Sequence, residues 1–265
     1  MIVDAHQHCW DPAVADYPWL TDEVAGLRRR FGPEDLAPLL AESGVTGTIL
    51  VQARHSLDET HALLELAAGA PFVLGVVGWL DLAGDVRGQL GDLPAPLVGL
   101  RHQVHDEPDP AWLLRDDVQR GLAAVGEAGL VYDLLVRARE LPAAVETAKK
   151  HPELTFVLDH VAKRPRDDVA WEAGVGALAE LPNVVCKLSG LVTEWDPAGT
   201  AERALRWFGA DRCLWGSDWP VCTLAASYAE TLELVRGVAA RRDLEFDEVF
   251  AGTALRTYAR RIIAG

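Results

Sequence analysis

Two histidines near the start of the chain are the first residues with a clear capacity for chemistry. The sequence begins MIVDAHQHCW, so one residue separates His6 from His8 after a short apolar run. Alternate residues of a β-strand point to the same side, so a strand over residues 2–6 would direct both imidazoles to one place beyond its end. This pair suits joint binding of a metal ion or of a polar substrate. Two exposed histidines on a loose terminus are the alternative.

Further polar residues follow other apolar runs at the same relative position. Asp218 lies in LWGSDWP, in a turn where an N-cap of the next helix is the alternative role. Pro220 and the distance to the helix expected from residue 227 argue against capping. His160 ends another run beside Asp159, and neighbouring residues of a strand face opposite ways, so only one of these two is expected to point into a shared site.

Two basic residues interrupt apolar runs. Arg101 lies in GLRHQV and Lys187 in VVCKLSG, and a buried cation needs an anionic partner. The sequence leaves open whether that partner belongs to a substrate or is an acid of the protein such as Asp133. The other candidates for contacting substrate are Gln52, Arg54, His102, Trp19 and Trp219, followed by His55 and His105. For each tryptophan, ordinary packing is the alternative role.

The elements that must position these residues alternate regularly along the chain. Nearly continuous apolar runs are typical of parallel strands covered by helices. They cover residues 2–6, 46–53, 71–80, 97–104, 130–136, 154–162, 183–191 and 212–219. Helical periodicity predicts helices over 33–44, 58–69, 112–129, 140–152, 169–182, 200–209 and 227–242, with a short helix within 81–96. A final helix over 247–262 is expected to pack outside the sheet.

Eight strands alternating with helices in 265 residues predict the α/β class and a single (β/α)₈, TIM-type barrel. This one domain would span residues 1–265, with a long loop over 9–32 after the first strand and an extra C-terminal helix. A doubly wound sheet is the competing topology, but the Gly-rich phosphate-binding turn expected after its first strand is missing from the sequence. In a barrel, the candidate residues above would meet at the carboxyl ends of the strands.

Composition narrows the classes of partner. A formal net charge of −15 argues against nucleic acid, whose binding depends on clustered Lys and Arg. The sequence shows neither a signal peptide nor an apolar run long enough for a membrane helix. Four cysteines without CxxC spacing, three of them in or just after predicted strands, indicate buried thiols in a reducing compartment, so we expect a cytoplasmic protein. A homo-oligomer is compatible with these features.

A set of motifs in order carries a family resemblance. The motifs are DAHQHCWDP, TGTILVQA, GVVGWLDL, LVGLRHQVHDEPDP, GLVYDLLV, FVLDHVAKRP, NVVCKLSGLVTE and LWGSDWPVC. Together they resemble the amidohydrolase superfamily and, within it, the group of sugar lactonases that also includes a pyrone dicarboxylate lactonase. The resemblance runs from residue 1 to about residue 225. It implies a distorted (β/α)₈ barrel that hydrolyses a lactone, such as L-fucono- or L-rhamnono-lactone.

The resemblance also implies roles for individual residues. The fuller metal pattern of the superfamily matches this chain at His6, His8, His160 and Asp218. Arg101 and Asp133 replace two further ligands, which argues against a two-metal centre. One divalent ion, zinc by preference, would be held by His6, His8 and Asp218, with His160 as a further ligand; metal-independent catalysis is the alternative.

The implied mechanism uses the same residues. Asp218 would be the general base for water, while His6, His8 and His160 would polarise the lactone carbonyl directly or through the metal. Two rival functions remain. A metal-dependent decarboxylase of the same fold would need a histidine where Asp133 stands, and a non-catalytic binding barrel would have no need of the His6, His8, His160 and Asp218 set.

Overall fold

The computed structural model describes residues 1–91, 93–242 and 246–258. Within them, eight parallel strands form one sheet in which each strand pairs with the next along the chain. The strands are β1 (Val3–Gln7), β2 (Gly47–Val51), β3 (Val73–Gly78), β4 (Leu97–His102), β5 (Val131–Leu134), β6 (Phe156–Leu158), β7 (Val184–Leu188) and β8 (Cys213–Trp215). The predicted strands and their order are confirmed. Most of them are shorter than the apolar runs, because buried apolar residues continue into the turns.

Helices cover the sheet in the expected alternation. They are α1 (Pro33–Ser43), α2 (Leu57–Gly69), α3 (Val86–Leu90), α4 (Asp116–Glu127), α5 (Leu141–Lys150), α6 (Val169–Ala179), α7 (Pro197–Phe208), α8 (Tyr228–Arg241) and α9 (Thr253–Tyr258). Helix α1 ends before Gly44, whose φ of 69° is the left-handed conformation that glycine adopts at low cost. Helix α7 begins earlier than predicted because the Asp196 carboxylate accepts a hydrogen bond from Gly199 N and caps it.

The sheet closes into a barrel where β1 meets the segment that follows β8. Asp218 N donates to the His6 carbonyl at 2.8 Å, and His8 N donates to the Trp219 carbonyl at 2.7 Å. These two backbone hydrogen bonds join the first strand to the segment that follows the last strand. They therefore place the HxH segment and Asp218 side by side before any side-chain contact is considered.

The buried Asp4 carboxylate reinforces this closure. It accepts hydrogen bonds from Ser217 N (2.8 Å), Ser217 Oγ (2.6 Å), the Tyr228 hydroxyl (3.0 Å) and His6 N (3.1 Å). Burial raises the pKa of Asp4 to about 6, although the hydrogen bonds oppose the shift. One carboxylate thus satisfies buried donors from β1, the β8 turn and α8.

The long loop after β1 folds back over the barrel mouth. Trp10 and Phe31 exchange backbone hydrogen bonds of 3.1 and 2.9 Å, which tie the two ends of the loop together. The Trp19 indole N–H donates to the Ala53 carbonyl at 2.8 Å, just beyond β2. The loop therefore holds Trp19 at the carboxyl end of the strands.

The final helix does not pack outside the barrel, so that prediction is wrong. A π-helical turn (Glu248–Gly252) leads into α9, and Ala251, Ala254 and Tyr258 belong to the apolar cluster of the barrel interior. The strand side chains of that cluster are Val3, Ala5, Ile49, Val51, Val77, Val98, Val131, Val157 and Leu214. Small, mostly β-branched side chains leave apolar surface that α9 buries. Residues 259–262 of the predicted helix lie outside the described residues.

Two further findings bear on the expected surroundings of the protein. All four cysteines are buried and free. In the described part of the chain, every helix falls short of the length and hydrophobicity needed to cross a bilayer.

The Asp4 network leads to a test of stability. We expect Asp4→Ala to lower the free energy of unfolding by about 3–5 kcal/mol, because it leaves several buried donors without an acceptor. Denaturant titration of the purified protein measures this change. Asp85→Ala is the control, since Asp85 caps the short helix α3 at the surface through Gly88 N and should cost about 1 kcal/mol. Equal losses in the two variants would contradict a special role for Asp4 in closure.

Candidate active site

A cavity of about 290 Å³ opens at the carboxyl ends of the strands. Five of the main candidates from the sequence line it, namely His8, Trp19, Arg101, His160 and Asp218, and the second-rank candidate His105 lines it as well. His6 lies directly beneath, fully buried against this group. The structure therefore brings together residues that are up to 212 positions apart in the sequence (218 − 6 = 212).

His6, His8 and Asp218 form the core of the site. The two Nε2 atoms of the histidines are 3.2 Å apart. Asp218 Oδ1 lies 3.4 Å from His8 Nε2 and 3.7 Å from His6 Nε2. Three potential ligand atoms thus form a nearly equilateral triangle, and two of its residues, His8 and Asp218, line the cavity.

The hydrogen-bond partners of both rings define where their lone pairs point. His8 Nδ1 lies 2.7 Å from the Val51 carbonyl, which only accepts, so Nδ1 carries the hydrogen and a neutral ring has a bare Nε2. Arg101 Nη1, which only donates, lies 3.2 Å from His6 Nε2 and requires a bare nitrogen there as well. Burial and the nearby Lys187 lower the pKa of His6 well below its usual range, so this ring is neutral. Both Nε2 atoms are therefore without hydrogen, and a cation that binds both stabilises two such nitrogens held 3.2 Å apart.

This donor set fits one zinc ion. Zinc binds imidazole nitrogen and carboxylate oxygen at about 2.0–2.2 Å in tetrahedral geometry, which separates neighbouring ligand atoms by about 3.3–3.5 Å. The measured edges of 3.2, 3.4 and 3.7 Å bracket that separation. The Val51 carbonyl orients His8 from behind in the way that metal-binding histidines are commonly held.

A second group of possible ligands shares His6 and includes Asp159 and His160. Asp159 is already engaged, because its Oδ2 accepts from Arg101 Nη1 at 3.0 Å and its Oδ1 lies 3.2 Å from Lys187 Nζ. Burial alone would raise the pKa of Asp159, but Lys187 and His6 lower it well below its usual range. Asp159 thus neutralises two cations, and the His6–His8–Asp218 group is the better metal site.

The end of β6 explains how Asp159 and His160 both reach the site. Residues 160–163 have φ between 48° and 55°, a left-handed run that breaks strand alternation directly after Asp159. The expectation that only one of the two would face inward is therefore wrong. His160 Nδ1 lies 2.9 Å from Ser189 Oγ, and burial lowers the pKa of His160 to about 4, against the effect of Asp218.

Close packing around His160 needs a glycine in the turn that follows the neighbouring strand, β7. Gly190, with φ of 63°, follows β7, and a Cβ there would lie 2.6 Å from His160 Nδ1 and 3.2 Å from Asp218 Oδ2. The motif LSG after β7 thus supplies both a hydroxyl partner and the space in which the imidazole and the carboxylate approach each other.

Five predicted site residues lie elsewhere than in the cavity wall. Gln52 is buried beneath it and donates to the Arg101 carbonyl at 3.1 Å. The ring of His102 is stacked between His55 and Trp112, with Glu107 2.7 Å from its Nε2. The remaining three are placed as follows: Lys187 is buried below His6, Trp219 packs edge-on against Phe31, and Arg54 lines an adjoining outer cavity of about 460 Å³.

The cavity wall also contains polar residues that were not among the candidates for contacting substrate. Gln103, Asp106 and Arg137 were not identified from the sequence, and Lys163 was recognised only as a polar residue that follows the sixth strand. Arg137 and Lys163 lie in loops beyond β5 and β6, and the loop position at the carboxyl end of a strand was the available signal. Lys163 is partly buried, and this burial lowers its pKa.

A barrel of eight parallel strands with a buried two-histidine, one-aspartate group at their carboxyl ends has the architecture of a (β/α)₈-barrel enzyme. Within that class, a family model described as amidohydrolase matches residues 3–260, and the chain belongs to this family.

Relatives from two Burkholderia species are similar over most of the chain. A protein of Burkholderia multivorans named L-fucono-1,5-lactonase is 41% identical, over 97% of this chain and 95% of its own length. The L-fucono-1,5-lactonase of Burkholderia ambifaria is 38% identical, over 86% of this chain and 83% of its own. A crystal structure of a Burkholderia multivorans amidohydrolase with bound zinc superposes with a TM-score of 0.93 at 39% identity, covering 98% of this chain and 99% of that one.

The geometry of the triangle predicts how zinc affinity depends on the three residues that form it. We expect His8→Asn to weaken zinc affinity by about 100-fold or more, because it removes one of three ligands that the barrel holds in place. Competition with a chromogenic chelator measures the affinity directly. His61→Asn is the matched control, since His61 is an exposed residue of α2, and it should leave zinc affinity unchanged. Equal affinity in wild type and His8→Asn would exclude this triangle as the zinc site.

Proposed function

We propose that this protein is a lactonase that hydrolyses a sugar aldonolactone, with L-fucono-1,5-lactone as the first candidate. The observation that carries the proposal is the convergence of His6, His8 and Asp218 at the floor of a cavity. Water activation and carbonyl polarisation, the two needs of ester hydrolysis, are the chemistry that these groups perform. The substrate class comes from the names of the Burkholderia relatives.

We assign one zinc ion to His6, His8 and Asp218 as the cofactor. When bound, zinc supplies a Lewis acid for the lactone carbonyl and lowers the pKa of a coordinated water. The lone-pair arrangement of the two imidazoles and the zinc in the related crystal structure support this assignment over metal-independent catalysis.

Asp218 is assigned the role of proton acceptor. Burial would raise the pKa of Asp218, but His160, His8 and His6 lower it below its usual range, so the carboxylate is ionised at neutral pH. Its φ of 57° directs the side chain into the cavity beside His8. In the reaction, Asp218 accepts a proton from the attacking water and returns it to the ring oxygen as that oxygen leaves.

Positively charged and neutral donors surround the developing negative charge. Arg101 and Lys163 line the cavity, and His160 is held by Ser189 with its ring against His6. These groups stabilise the tetrahedral oxyanion by hydrogen bonds and by their charge in a site shielded from water. Arg101 is in addition fixed by Asp159, so its position does not depend on substrate.

The wall of the cavity fits a polyhydroxylated ring. Gln103 and Asp106 offer donors and acceptors for hydroxyl groups, and Trp19 offers an apolar face for C–H surfaces. Arg101 is paired with Asp159, whereas Arg137 and Lys163 are wall cations that form no ion pair with the described residues. The small number of such cations favours a neutral sugar lactone over a dicarboxylate as the substrate.

The free, buried thiols of the described chain are compatible with the cytoplasm, which we propose as the location of this reaction.

Asp218→Asn tests the proposed base. We expect kcat for L-fucono-1,5-lactone to fall by about 10²–10⁴-fold, because the amide cannot accept the proton of the water. A pH-indicator assay measures acid release, with other aldonolactones and a pyrone dicarboxylate lactone alongside. Asp116→Asn on the exposed first turn of α4 is the control and should retain wild-type turnover. Near-full turnover in Asp218→Asn would refute the role of Asp218, and inertness of wild type toward every lactone would refute the proposed activity.

Arg137→Ala tests the substrate-binding wall. Arg137 lines the cavity mouth while its backbone N–H is held by Glu140, so its removal should affect binding more than folding. We expect KM to rise by about tenfold with kcat within twofold, the pattern of an interaction made equally with substrate and transition state. Arg120→Ala, at an exposed position of α4, serves as the comparison and should change neither constant. A fall in kcat at constant KM would instead place Arg137 in the chemical step.

A further inference from the structure

The C-terminal helix reaches the active site from the closed end of the barrel. Tyr258, the last residue of α9, is buried within the barrel interior. Its hydroxyl donates to the Asp133 carboxylate, at 3.1 Å from Oδ1 and 3.2 Å from Oδ2. Its ring centre is 5.4 Å from Lys187 Nζ, a distance at which a cation is attracted to an aromatic ring.

Asp133 and Lys187 continue this contact toward the histidines. Lys187 Nζ forms an ion pair with Asp133 Oδ2 and also lies 3.2 Å from both Asp159 Oδ1 and His6 Nδ1. His6 Nε2 belongs to the triangle described above. An unbroken series of buried contacts therefore runs from Tyr258 through Asp133 and Lys187 to His6.

We propose that Tyr258 is a positioning residue for the active site, which acts through Asp133 and Lys187 on the orientation of His6. This inference rests on the proposed function for its kinetic readout. It assigns a role in the active site to the helix that closes the opposite end of the barrel.

The physical reason lies in how Lys187 is shared. The ammonium group lies between two carboxylates, Asp133 and Asp159, and its position depends on the charge that each presents. The Tyr258 hydroxyl satisfies part of the hydrogen-bonding demand of Asp133. Without it, the Asp133 carboxylate loses one of the partners that fix its orientation, and Lys187, which is in tight contact with Oδ2, moves with it. Lys187 then shifts relative to Asp159, whose Oδ1 lies 3.4 Å from His6 Nδ1 and is the acceptor that faces this nitrogen, so the His6 ring loses part of what fixes its orientation.

The chain offers a matched control for the loss of a buried hydroxyl. Tyr132, on β5 next to Asp133, is fully buried, and its hydroxyl lacks a hydrogen-bond partner within the described residues. Tyr132→Phe therefore removes the same atom from the strand that carries Asp133, but within the apolar cluster outside the barrel interior and without touching Lys187. Comparing it with Tyr258→Phe separates a positioning effect from a general effect of altering the barrel core.

The first experiment measures both variants against wild type. For Tyr258→Phe we expect zinc affinity, measured by chelator competition, and kcat each to fall by about 10–100-fold, the range typical of partners that orient metal ligands. KM should stay within twofold, and Tyr132→Phe should match wild type in all three quantities. Circular dichroism and thermal unfolding confirm that both variants are folded. Wild-type zinc affinity and kcat in a folded Tyr258→Phe would overturn the proposal, as would equal losses in the two variants.

A double-mutant cycle tests the route through Asp133. If Tyr258 acts through this carboxylate, Tyr258→Phe should have almost no additional effect in an Asp133→Asn background. If the losses caused by Tyr258→Phe and Asp133→Asn instead multiply in the double variant, Tyr258 does not act through Asp133. If wild-type protein hydrolyses no lactone, the proposed function fails, while the comparison of zinc affinities still decides the role of Tyr258.

Discussion

Four buried charges inside the barrel are the constraint on which the rest of the site depends. Arg101, Lys187, Asp133 and Asp159 are at most 3% exposed and carry two positive and two negative charges. Removing such ions from water costs several kcal/mol each, so every one must contact opposite charge or hydrogen-bond partners. The contacts that satisfy this requirement fix Arg101 and Lys187 on either side of His6. The position of the His6 imidazole therefore follows from the pairing of the charges around it.

The closure of the barrel adds a second constraint to the same residues. Backbone hydrogen bonds between β1 and the β8 turn involve His6, His8 and Asp218 themselves, and Asp4 secures the segment from behind. The active-site triangle thus lies on the seam that joins the first and last strands. A change that opens this seam would separate the proposed metal ligands as well as destabilise the fold, which links stability to activity through one set of contacts.

Much of the fold was predictable because the information is local. Nearly continuous apolar runs alternating with helical periodicity indicated every strand in order, and barrel geometry then placed His6, His8, His160 and Asp218 at one end. The errors arose where backbone conformation departs from regular strands. The left-handed run from His160 cancels the alternation that predicted opposite faces for Asp159 and His160.

The sequence by itself determined the order of strands, the chemical types of the residues at their ends and the family resemblance that these motifs carry. Only the tertiary structure decided which acid pairs with which base, and that α9 fills the barrel interior. Ion pairing depends on distances between residues far apart in the chain, such as Lys187 and Asp133, and no local pattern encodes them. The small apolar side chains that receive Tyr258 are spread over the strands, so the space for α9 exists only after the barrel has formed.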